Sequence, residues 1–474
     1  MVSFKNDILH MLLKIVGGKM KKRLGLLALT AVLTSVAYGA SIDHIQTYTP
    51  EYLGNQAQNG MINNTSVYYN PAGIVNLEKG TYVQIGAQLA VGHEKMEYKG
   101  EDYKADLFQP IPNFALYKVE DDFALYWTFG GIAGGGDLEY KDGVAGTAVV
   151  EDLLNSLLPV LPTVPSELKN LKVNTNGSKA EGKNLYAQTT LGKVWKVNNK
   201  LSLSAAGRLV YGIRELKADL YINEKNSGAT LGYAGIDSER TALGYGGQFG
   251  INYQATEKLN LAMRYDTRVR LEFEAEGTRE DLKTLLPGLG FGNFYPEYID
   301  GDKTRRDLPA ILAAGMSYKV TDNWTVGLSG NYYFNKDAKM DRKVGKVEIP
   351  GTGVSISGLE AEYDNGWELA LGTEYRFSPK WAILGSINYA DTGAKVTSYD
   401  DVEYALNSVT LGTGLKYNPD ETTEWVFTVC HFFYDSEKGH FDQKYSNPIF
   451  SGKVGNPEYD KSITAFGVSY TKKF

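Results

Sequence analysis

From Thr81 onward the chain alternates apolar and polar residues in one segment after another, the two-residue period of strands whose faces meet different surroundings. The first segment, Thr81 to Val91, sets Val83, Ile85, Ala87, Leu89 and Val91 against Tyr82, Gln84, Gly86 and Gln88. Phe123 to Ile132 opposes Phe123, Leu125, Trp127 and Phe129 to Ala124, Tyr126 and Thr128, and Gly366 to Phe377 opposes Trp367, Leu369 and Leu371 to Glu368, Gly372 and Glu374. Fourteen segments of this kind are legible, the last being Ser462 to Phe474. The connections alternate strictly. Short ones such as Glu120 to Asp122, Asn198 to Lys200 and Ser378 to Lys380 follow long ones such as Gly92 to Pro112, Ala133 to Asn184 and Ala275 to Pro309.

An even strand number, tight turns at one end and long loops at the other are the marks of a bacterial outer-membrane barrel. The expectation is an all-β fold, a 14-stranded antiparallel transmembrane β-barrel over residues 78–474, with both termini in the periplasm. All 15 prolines fall in the pre-barrel segment or in connections, with Pro110 and Pro112 placed at the end of the connection Gly92 to Pro112. Tryptophans gather where strands meet turns, at Trp127, Trp324, Trp367, Trp381 and Trp425, as rings at headgroup depth would. A soluble β-sandwich also uses alternating aromatics, but gives no reason for the long and short alternation.

Composition agrees: 33 Tyr, 52 Gly and a mean hydropathy of -0.30 describe a β-rich chain that is not apolar on average. A net charge of -7 argues against a nucleic-acid partner. Cys430 is the single cysteine, so neither an internal disulfide nor a cysteine metal cluster is available. The five histidines are scattered and no metal site or cofactor is expected; no Gly-x-Ser-x-Gly elbow is present, and enzymatic function is not expected.

Two stretches precede the first strand. Met20-Lys-Lys-Arg, the apolar run Leu24 to Val36 and the small residues Ala37 and Gly39 form a secretory signal with cleavage expected before Ala40, so residues 1–39 are read as a signal peptide whose translation starts at Met20. Residues 40–77 carry no sustained period and end in Asn70-Pro71-Ala72-Gly73, a boundary before the first strand.

The triplet Asn70-Pro71-Ala72 at that boundary, the strand count, the export signal and the terminal Phe474 together resemble the FadL family of outer-membrane transporters for long-chain fatty acids and other hydrophobic compounds. The resemblance implies an N-terminal plug (hatch) over residues 40–77, joined to the barrel at Asn70, Pro71, Ala72 and Gly73. It also implies an inward kink in the third strand that opens a lateral passage. Gly130, Gly131, Gly134, Gly135 and Gly136 stand where that kink would fall, since glycine in a strand marks a bulge or bend. An amphipathic last strand with Tyr470 and Phe474 resembles the signal read by the barrel-assembly machinery, although Lys472 departs from it.

Two apolar outer segments are candidates for ligand capture or for a packed cap: Leu153, Leu154, Leu157 and Leu158 in one, Leu285, Leu286, Leu289, Phe291 and Phe294 in the other. Inward-pointing charges, Arg264, Arg268, Arg270 and Arg376 among them, either hold a carboxylate or form lumen salt bridges. The expected function is passive uptake of hydrophobic compounds, with long-chain fatty acids foremost, captured in the outer loops and released sideways into outer-membrane lipid. A surface adhesin working through the long loops and a general porin are the alternatives; a plug counts against the porin.

Overall fold

The computed structural model describes residues 45–160, 166, 169–280, 296–340, 346–349, 354–357, 361–399, 401–444, 450 and 452–474. The expected signal peptide and the apolar residues Leu285, Leu286, Leu289, Phe291 and Phe294 lie outside them.

Fourteen antiparallel strands close into a barrel. In chain order they are β1 (Gly80–Tyr98), β2 (Glu101–Val119), β3 (Phe123–Tyr140), β4 (Lys179–Lys196), β5 (Leu201–Glu224) and β6 (Thr230–Gln254). β7 runs as Leu259–Asp266 and resumes as Glu272–Glu280, followed by β8 (Ile311–Thr321), β9 (Trp324–Tyr333) and β10 (Gly366–Arg376). β11 (Trp381–Asp391), β12 (Ser408–Asp420), β13 (Thr423–Tyr434) and β14 (Glu458–Lys473) complete the wall. Each strand pairs with the next, and β14 returns to β1 through pairs such as Tyr470 with Ile85. Closure leaves no edge for the bilayer to meet, which is what a spanning sheet requires.

The alternation places its faces as expected. Ile85, Leu243, Leu369, Leu371, Phe427 and Phe466 are exposed on the outside, while Gln84, Gln88, Ser329, Asn331 and Glu368 are buried within. This inversion of a soluble protein's burial is the apolar band of a membrane barrel. At the turn end the girdle pairs across strands, Trp381 on Tyr417 at 4.4 Å and Trp425 on Tyr470 at 4.8 Å between ring centroids.

Several strands outrun their sequence bounds on the outer side. β1 and β2 form one hairpin from Gly80 to Val119, and β5 and β6 another from Leu201 to Gln254. In these extensions the apolar positions turn inward, with Met96, Tyr98, Leu220 and Ile222 buried, so the ladder continues where the parity of the alternation has reversed. Pro110 and Pro112 therefore lie inside β2, and Pro419 inside β12, not in connections.

The lumen is filled from below by residues 45–77. A short helix, α1 (Pro50–Gly54), a second, α2 (Ser66–Tyr69), and a 3-10 turn, Pro71–Asn76, are almost wholly buried. Polar lumen side chains satisfy the backbone of this segment: Thr428 Oγ1 donates to Pro50 O at 2.7 Å, Ser317 Oγ to Gly60 O at 2.8 Å, and Asn260 Nδ2 to the same carbonyl at 2.9 Å. Inward glycines admit it closely, since a Cβ on Gly412 would lie 2.1 Å from Leu53 O. Lys416 of β12 pairs with Glu51 of α1, and with Glu374 at 2.8 Å.

The outer mouth is covered too. Helix α3 (Ala145–Leu157), between β3 and β4, buries its apolar face against Tyr140, Tyr404, Tyr459 and Phe450. Glu94 and Lys461, 3.0 Å apart and fully buried, anchor the covering loop, because Lys461 Nζ also donates to Tyr404 O at 2.7 Å.

Candidate functional site

Three hydrogen-bonded ladders meet around β2 and β3, and one of them stops early. β1 and β2 stay paired from Gly80 with Val119 out to Tyr98 with Glu101. β3 and β4 stay paired out to Tyr140 with Ala180. Between β2 and β3, however, pairing ends at Asn113 with Gly130. The outer halves of these two neighbours diverge, and the wall carries a seam.

Residues on both sides of the seam account for it. On β3 the register against β4 slips twice, between Gly131 and Ala133 and between Gly134 and Gly136. Gly134 at φ +125° and Gly136 at φ +110° take backbone angles that side chains resist, so these bulges depend on glycine. On β2, Glu120 N donates to Phe123 O, which identifies even-numbered residues as those whose amides face β3. The unbroken register with β1 carries that side to Pro112 and Pro110. Both prolines thus remove a donor from the edge that β3 would need.

Behind the seam lies a cavity of about 120 Å³. Gly131, Gly134, Gly135, Gly136 and Ile111 form its seam side; Leu53 and Tyr48 of the plug, and Leu107, Phe432 and Ile463 of the wall, close it elsewhere. Its polar lining residues are Gln46, Gln88, Gln109 and Asn184, with Tyr48 and Tyr434 beside them. Burial raises the Tyr48 phenol well above its usual range, so it stays neutral. The lining is mainly apolar, and Ile111 and Gly131 bring the cavity to the gap between β2 and β3.

The plug junction is a wall anchor. Asn70 Nδ2 donates to Asn252 Oδ1 at 2.8 Å and to Met61 O at 3.2 Å, and Ser202 Oγ donates to Ala72 O at 2.6 Å. Pro71 opens the 3-10 turn, where its missing N–H costs nothing. A Cβ on Gly73 would lie 2.6 Å from Asn70 Nδ2.

The arginines separate into three groups. Arg264 is buried, contacts Asp266 at 3.3 Å and donates to Tyr68 O, so it holds the plug. Arg376 sits at the turn end with Asn418 Oδ1 at 3.2 Å. Arg268 and Arg270 do not point inward: their side chains are 49% and 65% exposed. The cause is the break in β7. Between the pairs Thr241 with Glu274 and Gln248 with Asp266, six residues of β6 (242–247) face seven of β7 (267–273). One extra residue inverts the faces, so Val269, Leu271 and Phe273 turn inward instead.

Leu153, Leu154, Leu157 and Leu158 are 2–7% exposed within the cap, so they present no open capture patch. Phe474 ends the chain with its backbone bonded both ways to Thr81, and Tyr470 faces outward beside Trp425. Lys472 lies against Thr422 and Thr423 at 2.6 and 2.8 Å. Sequence reasoning missed Gln46, Gln109 and the two prolines of β2; only the Pro-x-Pro parity within a period-2 run could have signalled the seam.

A closed, plugged 14-stranded barrel with an apolar outer band defines an outer-membrane channel protein of bacteria. Residues 166–474 match the family model described as outer membrane protein transport protein (OMPP1/FadL/TodX), and the chain belongs to that family. Its fold is that of the P. putida toluene transporter TodX (TM-score 0.62, 16% identity, 91% of this chain and 99% of that one). It is likewise similar to a Pseudomonas aeruginosa FadL homologue (TM-score 0.64, 15% identity, 92% and 100%) and to the Ralstonia pickettii toluene transporter TbuX (TM-score 0.56, 15% identity, 91% and 99%). No curated protein sequence matches the chain.

Proposed function

We propose that this protein is a passive, non-enzymatic conduit that takes hydrophobic compounds, long-chain fatty acids among them, from the cell exterior and releases them sideways into the outer membrane. The observation that carries this reading is the seam: the β2 and β3 ladder ends at Asn113 with Gly130, and an apolar cavity stands directly behind the gap. Among the described residues a plug fills the lumen from below and a cap covers it above, which favours a lateral route over a general porin. Lateral release also has a driving force, since each CH₂ gains about 0.8 kcal/mol on leaving water. The similar solved structures, toluene transporters among them, support a small apolar passenger as well.

The test is uptake of labelled oleate and of labelled p-xylene at limiting concentration by cells with and without the protein. Faster uptake of either with the protein present is expected. Identical rates for both would sink the conduit reading.

A further inference from the structure

We infer that helix α3 is a hinged gate over the entry, closed in this structure, and that a hydrophobic passenger moves it aside to reach the cavity behind the seam. The inference rests on the conduit reading and adds the step at which the passenger leaves the exterior.

The apolar packing marks where such an entry runs. Leu153 and Leu157 of α3 belong to one continuous apolar cluster with Tyr404 and Tyr459, and the same cluster reaches Phe432 and Ile463 of the wall and Leu53 of the plug. Those last three residues line the cavity. The buried face of α3 and the cavity lining are therefore parts of a single apolar column, covered at its outer end by the helix.

The attachments of α3 are of another kind. Its first turn is held by one carboxylate, since Gly146 N donates to Asp401 Oδ1 at 2.8 Å, where the helix dipole also favours negative charge. Further along, Asp152 accepts from Tyr98 Oη at 2.7 Å and pairs with Lys99 at 2.6 Å. The Lys99 and Asp152 side chains are 45% and 27% exposed, and ion pairs at such a rim are individually weak. Asp401 belongs to a fixed post, because the carbonyl of nearby Tyr404 accepts from the buried Lys461 at 2.7 Å. The hinges lie in the connection between β3 and β4. That ladder ends with Tyr140 and Ala180, and close to either end Gly143 and Gly177 take φ +85° and +83°, angles open to glycine.

A passenger shifts the balance between these contacts. Lifting α3 in water exposes its apolar face, and an isolated helix this short is marginal there. An apolar molecule beneath it replaces the packing that the lift removes, so the open state gains from the class of compound that the column can carry. The gate thus stays shut until a hydrophobe arrives.

The test locks it. A Cβ on Gly146 would lie 2.7 Å from Asp401 Cγ, the atom that a cysteine sulfur replaces, so Gly146→Cys with Asp401→Cys sets the pair for a disulfide. In cells carrying the double variant, uptake of labelled p-xylene should fall about tenfold or more when mass spectrometry shows the bond formed, and should return on reduction. Asp401→Cys alone should not respond to oxidant. Where the wild type takes up p-xylene, equal uptake in the bonded and reduced states would overturn the inference. A second measurement does not depend on the variant folding: in wild-type protein in lipid nanodiscs, the amides of Ala148 to Leu157 should exchange hydrogen severalfold faster with p-xylene than without it. Unchanged or slower exchange would also overturn the gate. Absence of wild-type uptake is instead the failure of the conduit reading, and the exchange measurement still judges the gate, so the two failures are distinguishable.

Discussion

The wall has two glycine-rich regions, and glycine does opposite things in them. On the far side, β8 to β12, the inward glycines are filled space: a Cβ on Gly412 would fall 2.1 Å from Leu53 O, and one on Gly315 would fall 2.6 Å from Gly60 N. The ladder there runs without a gap, from Trp367 with Asp391 to Arg376 with Ala382 in the β10 and β11 pair. At the seam Gly131 borders open space. A Cβ on Gly131 would meet only the Ile111 Cγ2 at 3.4 Å. One set of glycines lets the plug dock against a closed wall; the other lets a strand leave its neighbour.

The sharpest way to break this contrast is to fill the open side. Gly131→Trp would put an indole beside Ile111 in the seam, where a Cβ meets no backbone within 4 Å. Uptake should fall to the level of cells lacking the protein, while heat-modifiable migration still reports a folded barrel. Retained uptake would mean that the passage lies elsewhere.

The second test exchanges small residues across the two regions. Gly412→Ala pushes a methyl against the plug backbone and should cost roughly 1–3 kcal/mol, read as a lower denaturant midpoint together with leakage of small hydrophilic solutes. Gly131→Ala should shift the same midpoint by no more than about 0.5 kcal/mol. Equal losses at the two sites would show that the far-side glycines are not there for the plug.

How much of this was legible in the sequence follows from what each residue faces. The alternation of Trp367, Leu369 and Leu371 with Glu368 and Gly372 is written by lipid on one side and a polar lumen on the other, so the barrel, its strand number and its turns could be read. The hairpin extensions could not: in His93 to Tyr98 and Glu215 to Glu224 the apolar residues Met96, Tyr98, Leu216, Leu220 and Ile222 turn inward, which reverses the parity that marks the lower strands. Arg268 and Arg270 followed the parity of Arg264 until one extra residue in β7 inverted it, and nothing local at Thr267 announces that insertion. The glycines of β3 stand out in the sequence, but their meaning depends on β2, twenty residues earlier in the chain. Gln88 was visible as a polar-face residue; that its Nε2 donates to Tyr48 O depends on the plug, which only folding brings to it.

The smallest expected effect concerns the prolines, and it separates the two causes of the seam. Pro110 and Pro112 take their amide donors away from the β3 edge, whereas the bulges at Gly131 to Gly136 take the β3 backbone away from β2. Replacing both prolines by valine restores two donors without touching β3, and β-branched side chains suit the strand. Each new ladder bond is worth about 0.5–1.5 kcal/mol net. If the prolines share in holding the strands apart, β2 amides beyond Asn113 should become more protected from hydrogen exchange, and uptake should drop severalfold without disappearing. Unchanged exchange and uptake would assign the seam to the glycine bulges alone. The prolines would then be tolerated at an edge that the bulges had already created, the reverse of the order of cause drawn from β2.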